Sequence, residues 1–186
     1  MVGMLEVLKD VADRFESEGI EYFLVGSMAA MYYGRPRFTQ DLDLVVRIKA
    51  KQVAAFENLF PLEEYYCPPN EVLRDEVSRK GTFNLIHQAS GIKVDILLDK
   101  ETDFYISEFQ RKKKIEVAPG IAVYLGSPED IILKKLDFYR EGESEKHLID
   151  IREIIMGISV DEVYINEWAT KLGLLKEWKK INGGCD

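Results

Sequence analysis

Cysteine and histidine are scarce in this sequence, and long apolar runs are absent. Among 186 residues there are two cysteines, Cys67 and Cys185, and two histidines, His87 and His147. Without a C-x-x-C pair, these few residues argue against a disulfide scaffold and a zinc site, and they fit a reducing cytoplasm. No apolar stretch reaches the roughly 20 residues that a membrane-crossing helix needs. We therefore expect a cytoplasmic protein with no membrane partner.

Positive charge is also in short supply. Lys and Arg number 25 against 33 Asp and Glu, which gives a formal net charge of -8. Strong nonspecific binding to long nucleic acids requires a basic face that neutralises phosphates, so we do not expect it here. A nucleotide or one defined RNA end stays compatible with this charge, because a carboxylate site is acidic until a divalent cation binds. The basic run at 111–114 is predicted to be a solvated turn, with a nucleic-acid contact as the less favoured alternative.

The order of predicted elements indicates an α+β fold, with a mixed β-sheet flanked by helices and a C-terminal helical subdomain. Hydrophobic periodicity predicts strands at 21–25, 41–48, 82–88 and 92–98 and a short hairpin over 115–125. It predicts helices at 4–18, 27–33, 49–60, 71–79 and 103–112, then at 128–141, 145–157, 161–172 and 174–181. Adjacent antiparallel strands favour a mixed sheet over a doubly wound parallel one. We expect a core over 1–126, with the helical tail 127–186 packed on it.

Three acidic residues occupy predicted strands at positions that share a face. Because side chains alternate along a strand, Asp41 and Asp43 point to one side while Leu42 and Leu44 pack into the core. Asp95 has the same relation to its apolar neighbours in 92–98. Carboxylates that lie close together raise each other's pKa unless a cation separates them, and Mg²⁺ or Mn²⁺ is the simplest such cation. If the two strands are neighbours, the three carboxylates form a metal site for phosphoryl or nucleotidyl transfer.

A candidate phosphate-binding turn precedes these acids. Gly26 and Ser27 lie between a strand and a helix, where glycine admits a phosphate and the helix N-terminus offers free N–H groups. Ser27 is also the predicted N-cap of that helix. Arg37 has the geometry to hold phosphate oxygens by two parallel hydrogen bonds, and Thr39 shares the face of the acids if the strand starts early. Arg35 is either a second phosphate contact or a solvated loop charge.

These motifs resemble the signature of the DNA polymerase β-like nucleotidyltransferase superfamily. A G-S pair after a strand is followed by D-L-D-L, and the form G-x-x-R-x-T-x-D-L-D-L over 34–44 is similar to small bacterial and archaeal members. Those members include the toxin enzymes of abortive-infection systems. In the tail, SPEDIILKKLDFYREG and EKHLIDIREII resemble the lysine motif and the K-x-x-x-D motif of these relatives.

The resemblance implies roles for individual residues. Asp41, Asp43 and Asp95 would be catalytic residues and metal ligands, with Mg²⁺ or Mn²⁺ as cofactor and an NTP as substrate. Nucleotide binding is predicted for Gly26, Ser27, Arg37, Thr39 and Lys135. Lys134 is interpreted as a surface residue of an amphipathic helix. Asp150 matches the acid of the tail motif, and its alternative interpretation is an ordinary i, i+4 pair with Lys146.

Two functions from different classes follow. The first is a metal-dependent nucleotidyltransferase that moves an NMP from an NTP to a hydroxyl of a small molecule, a protein or an RNA end, releasing pyrophosphate. No Walker-type GxxxxGK[ST] loop is present to support γ-phosphate hydrolysis instead. The second is a non-catalytic nucleotide- or metal-binding module, or a toxin–antitoxin component, with the same fold. The presence of all three acids favours the enzyme. Trp168 and Trp178 are predicted to lie in the tail core or at a homodimer surface.

Overall fold

The computed structural model of the chain describes residues 3–182. The strands are β1 (Glu21–Val25), β2 (Asp41–Arg47), β3 (Tyr65–Tyr66), β4 (Thr82–His87), β5 (Lys93–Leu98), β6 (Lys113–Ala118) and β7 (Ile121–Leu125). The helices are α1 (Met4–Ser17), α2 (Gly26–Tyr33), α3 (Val53–Leu59), α4 (Asn70–Arg79), α5 (Asp103–Arg111), α6 (Pro128–Gly142), α7 (Glu145–Gly157), α8 (Glu162–Lys171) and α9 (Leu175–Asn182). Cys185 lies outside the described residues.

The strands form one mixed sheet in the order β3-β4-β5-β2-β1-β7-β6. The hairpins β4–β5 and β6–β7 are antiparallel, whereas β2 runs parallel to β5 and β1 runs parallel to β7. The predicted α+β class and mixed sheet are therefore confirmed. The predicted turn at 111–114 is wrong, because Arg111 ends α5 and Lys113 begins β6. Lys112 joins them and lies 3.2 Å from the Glu21 carboxylate, so its charge is paired rather than simply solvated.

The two faces of the sheet differ in how they are covered. On one face Leu42, Leu44 and Val46 are fully buried in the main core, which also contains residues of α1 and α6. On the other face a smaller apolar cluster joins Phe23 and Val45 to Phe109 of α5. Helix α5 therefore covers part of that second face, and the carboxylates of β2 lie on the same face beyond it.

The C-terminal helices share the main core with the sheet. Helix α6 begins where Ser127 accepts a hydrogen bond from the Asp130 N–H at 3.2 Å, and a proline follows the cap, which favours a helix start here. Trp178 is buried in this core, and the ring of Trp168 packs 5.1 Å from that of Phe104. Both tryptophans thus pack within the chain. The domain boundary at 126/127 and a homodimer stay predictions. None of the helices in residues 3–182 is long and apolar enough to span a bilayer.

Candidate active site

Strand register brings the predicted acids together. Strands β2 and β5 are parallel neighbours, with Asp43 opposite Asp95 and Asp41 opposite Lys93. Adjacent strands lie about 4.8 Å apart, so side chains at paired positions on the same face are in contact range. The acidic residues of two distant sequence segments therefore form one acidic cluster on the face that α5 leaves open.

Gly26 fits against the Asp43 carboxylate in a way that no other residue can. Its φ is +66°, and an added Cβ would lie 1.9 Å from Asp43 Oδ2. Glycine is thus required both by the backbone conformation and by the close approach of the carboxylate. The backbone N–H of Ser27, in the first turn of α2, lowers the pKa of Asp43, so the helix N-terminus favours the charged carboxylate.

The prediction that Ser27 caps α2 is wrong. The helix begins at Gly26 with Val25 in the N-cap position, because glycine at positive φ lets the chain turn one residue earlier. The Ser27 hydroxyl instead accepts a hydrogen bond from Arg37 Nη2 at 2.7 Å. Ser27 therefore connects the turn before α2 with the loop that precedes β2.

The acidic cluster is electrostatically strained. Burial raises the pKa of Asp43, and the charges of Asp95 and Asp41 raise it further, while the Ser27 N–H opposes them. The Lys93 ammonium lies 2.9 Å from Asp95 Oδ2 and 3.7 Å from Asp41 Oδ1. Lysine thus supplies part of the positive charge that three close carboxylates require.

The donor set suits a hard divalent cation. Within residues 3–182 no three His, Cys, Asp or Glu side chains are already placed to hold a metal ion. The carboxylates of Asp41, Asp43 and Asp95 nevertheless provide only oxygen donors with excess negative charge, which is the chemistry that Mg²⁺ and Mn²⁺ select. The Lys93 side chain is 39% exposed, so it has room to turn away from these oxygens.

A second polar network ties the loop before β2 to the tail. Arg37 makes two hydrogen bonds of 2.9 Å to the carboxylate oxygens of Asp150, and Lys135 Nζ donates to Asp150 Oδ2 at 2.6 Å. Although burial opposes it, these two cations hold the pKa of Asp150 below its usual value. Burial lowers the pKa of Lys135, and Asp150 counteracts this. Asp150 is thus held by Arg37 and Lys135, not by Lys146 as in a simple helix pair.

The interpretation of Lys134 as a surface residue is wrong. Its Nζ lies 3.1 Å from Glu108 Oε2 and 4.3 Å from the centre of the Tyr105 ring. Glu108 is 0% exposed, and burial raises the pKa of its carboxyl to about 8, although Lys134 lowers it. Helical spacing could not reveal this, because the acid that draws Lys134 inward belongs to α5, well upstream in sequence.

Two grooves meet at the acidic cluster. The first, which we call the basic groove, has a volume of about 500 Å³ and runs from Gly26, Ser27 and Asp43 toward α5, α6 and the start of α7. Its lining includes Tyr105 and His147, the four lysines Lys100, Lys134, Lys135 and Lys146, and, besides the acidic cluster, Asp137 and Glu141. The second, which we call the methionine groove, has a volume of about 610 Å³. Thr39 and Asp41 line both grooves. Thr39 precedes β2, which starts at Asp41, so it reaches the site from the loop.

The chain was compared with protein families, curated proteins and solved structures. No protein-family model matches the chain, and no curated protein matches it significantly. Solved structures do match. The antibiotic-resistance factor ANT(2″)-Ia is 11% identical, with a TM-score of 0.56 and coverage of 95% of this chain and 96% of that one. The chain has the nucleotidyltransferase fold. Another structure of that factor, with a TM-score of 0.54, is a complex with adenylyl-2″-tobramycin.

Two further proteins share the nucleotidyltransferase fold with this chain. The lincosamide antibiotic adenylyltransferase LnuA, bound to lincomycin, is 14% identical over 82% of this chain and 96% of its own, with a TM-score of 0.52. An antigenic nucleotidyltransferase-like protein from Paracoccidioides brasiliensis is 22% identical over 81% and 73%, with a TM-score of 0.50. At these identities the likeness establishes the fold. The resemblance to polymerase β-like nucleotidyltransferases is confirmed at that level.

Proposed function

We propose that the chain is a metal-dependent nucleotidyltransferase that moves an NMP from an NTP to an acceptor hydroxyl. The observation that carries this proposal is the register of β2 and β5, which sets Asp43 against Asp95. Beside this pair, the Gly26 turn brings the N-terminus of α2 against the Asp43 carboxylate. In a nucleotidyltransferase fold, this arrangement joins a metal-binding acidic cluster to a phosphate-binding turn.

The reaction follows from these groups. When bound by Asp41, Asp43 and Asp95, Mg²⁺ or Mn²⁺ would neutralise the triphosphate and lower the pKa of the acceptor hydroxyl. The acceptor oxygen forms a bond to the α-phosphorus, and the bond from that phosphorus to the bridging oxygen breaks. Pyrophosphate leaves with the electron pair, and Asp95 accepts the hydroxyl proton. The N–H groups at the start of α2, which follow the Gly26 turn, would donate hydrogen bonds to the phosphates.

The basic groove is our proposed site for the NTP. Lys134 and Lys135 line it together with Ser27, so cations and a helix N-terminus face the same space. Lys135 and Arg37 already neutralise Asp150, and a triphosphate in the basic groove has to compete with that carboxylate for Lys135. We propose that this competition sets the affinity for the nucleotide, because charge-assisted hydrogen bonds to phosphate and carboxylate are similar in kind.

One observation favours the alternative of a non-catalytic module, including a toxin–antitoxin component of the same fold. Lys93 pairs with Asp95 and Asp41, and so places a positive charge beside the acids that would hold a metal. A chain that had abandoned turnover could keep this pairing permanently. Nucleotide binding alone therefore does not separate the two functions, whereas turnover does.

The discriminating experiment follows the two ends of the triphosphate. The protein is incubated with α-labelled or γ-labelled NTPs, Mn²⁺ and a cell extract. We expect α-label in an acceptor and γ-label in pyrophosphate. Asp95→Asn should lower transfer by roughly 100-fold or more while retaining NTP binding, because its role falls mainly on the transition state. Asp75→Asn removes an exposed acid of α4 and serves as the matched control. Tight NTP binding without any label transfer would favour the non-catalytic module, and orthophosphate as the sole product would indicate hydrolysis.

A further inference from the structure

The methionine groove differs in chemistry from the basic groove. Its lining combines three methionines and two other apolar side chains with the polar residues of the rim. The apolar members are Met4, Met28, Met31, Phe38 and Ile92. Methionine side chains are flexible and polarisable, so they adapt to the shape of an apolar ligand. The groove ends at Asp41, where the acidic cluster begins.

The charges that line the methionine groove are already paired. Its two cations are Arg37 and Lys93. Arg37 is bound to Asp150 on both carboxylate oxygens, and Lys93 lies 2.9 Å from Asp95. A ligand that carries phosphates would have to break these pairs, and Asp41 repels anions. An uncharged ligand leaves the pairs intact, so the groove favours an uncharged ligand over an RNA end.

Phe38 is the most distinctive residue of this groove. Its side chain is 80% exposed, and the backbone beside it is held by two contacts. Arg37 Nη1 donates to the Phe38 carbonyl oxygen at 3.1 Å, and the Arg37 N–H lies 3.1 Å from Met31 Sδ. When a ligand covers an exposed aromatic ring beside a groove, the burial of apolar surface favours binding.

We infer that the methionine groove binds the acceptor, and that the acceptor is an uncharged small molecule with an apolar body and a hydroxyl group. This inference rests on the proposed function, since the shared rim of Thr39 and Asp41 places the hydroxyl next to the carboxylates. The NTP occupies the basic groove on the other side of that rim. The apolar body lies against the methionines and Phe38. The apolar groove therefore binds the acceptor, and the groove with the lysines binds the NTP.

The groove can be tested without turnover. Binding of Nile red, a neutral apolar dye, is measured by fluorescence titration for the wild type, Phe38→Ala and Met156→Ala. Met156 is a matched control because it is 81% exposed and lies on α7, outside the lining of both grooves. We expect roughly tenfold weaker binding for Phe38→Ala, from the lost contact with the ring, and no change for Met156→Ala. Equal affinities in all three proteins would overturn the inference.

A second measurement identifies the acceptor class. The cell extract is divided into RNA, protein, small molecules retained on a reversed-phase column and small molecules that pass through it. Each fraction is incubated with α-labelled NTP and Mn²⁺. We expect label only in the retained fraction, with transfer lost in Phe38→Ala and kept in Met156→Ala. Label in RNA, protein or the polar fraction would overturn the inference. No label in any fraction, together with the expected dye result, would support the apolar groove and contradict the proposed function.

Discussion

Removing one charge from the acidic cluster should stabilise the protein in the absence of metal. Asp43 faces Asp95 across strands about 4.8 Å apart, and two unit charges at roughly 5 Å repel by about 3 kcal/mol at an effective dielectric constant of 20. The Ser27 N–H and the Lys93 ammonium offset part of this repulsion. We expect Asp43→Asn to raise the free energy of unfolding by about 1–2 kcal/mol, which corresponds to a melting temperature higher by roughly 2–8 °C.

The assay is thermal unfolding of the wild type and Asp43→Asn in EDTA, followed by the same scans with Mn²⁺. Mn²⁺ should raise the melting temperature of the wild type by mass action and leave that of Asp43→Asn nearly unchanged. The difference between the two melting temperatures should therefore become smaller or change sign when metal is added. Asp75→Asn controls for a general loss of negative charge, because Asp75 is an exposed acid far from the cluster in sequence.

Two results would refute this reasoning. If Asp43→Asn were less stable than the wild type in EDTA, the attraction of the Ser27 N–H and the Lys93 ammonium for the Asp43 charge would outweigh the repulsion, and the acidic cluster would be a structural feature. If Mn²⁺ stabilised both proteins equally, Asp43 would not be a metal ligand.

Three further changes test other parts of the structure. Gly26→Ala should destabilise the chain by roughly 1–3 kcal/mol and abolish transfer, because its Cβ would overlap the Asp43 carboxylate; urea unfolding measures the first effect, and unchanged stability would contradict it. Asp150→Asn should lower the free energy of unfolding by roughly 2–3 kcal/mol, since two cations lose their counter-charge. A urea midpoint equal to that of the wild type would show that the network is not stabilising. For Glu108 the folded pKa of about 8 lies above the unfolded value, so its contribution to stability is lost as pH rises from about 4.5 to 8, by at most about 1.4 kcal/mol per pH unit. Glu108→Gln should remove this slope in urea titrations at pH 5 to 9, and an unchanged slope would show that Glu108 titrates normally.

Local patterns were enough to predict most of the fold. The alternation of acidic and apolar residues in 41–48 and 92–98 indicated which faces carry the acids, and the structure pairs these strands in parallel. The four tail helices were predicted within one or two residues of their observed ends, because each has a clear apolar periodicity and a cap or turn at its start. The two-residue strand β3 was missed, since its neighbouring prolines predict irregular structure.

What could not be predicted depends on contacts between distant segments. Lys134 looks solvent-exposed at its helical position, and only the packing of α6 against α5 brings it to Glu108. Arg37 was predicted to bind phosphate, whereas the structure shows it bound to Asp150 in α7. Whether it also contacts a nucleotide stays a prediction. Sequence spacing carries no information about such pairs, because both partners would be equally well placed on a solvated surface.

The position of a bound metal ion tests the central claim most directly. Crystals of the wild type grown with Mn²⁺ and a non-hydrolysable NTP analogue allow the metal to be located by its anomalous scattering. We predict a Mn²⁺ peak within coordination distance of carboxylate oxygens of Asp41, Asp43 and Asp95, with the triphosphate beside Gly26 and Lys93 turned away from the acids. An analogue bound elsewhere, or bound in the basic groove with no Mn²⁺ peak and Lys93 still paired with Asp95, would contradict the proposed metal-dependent transfer.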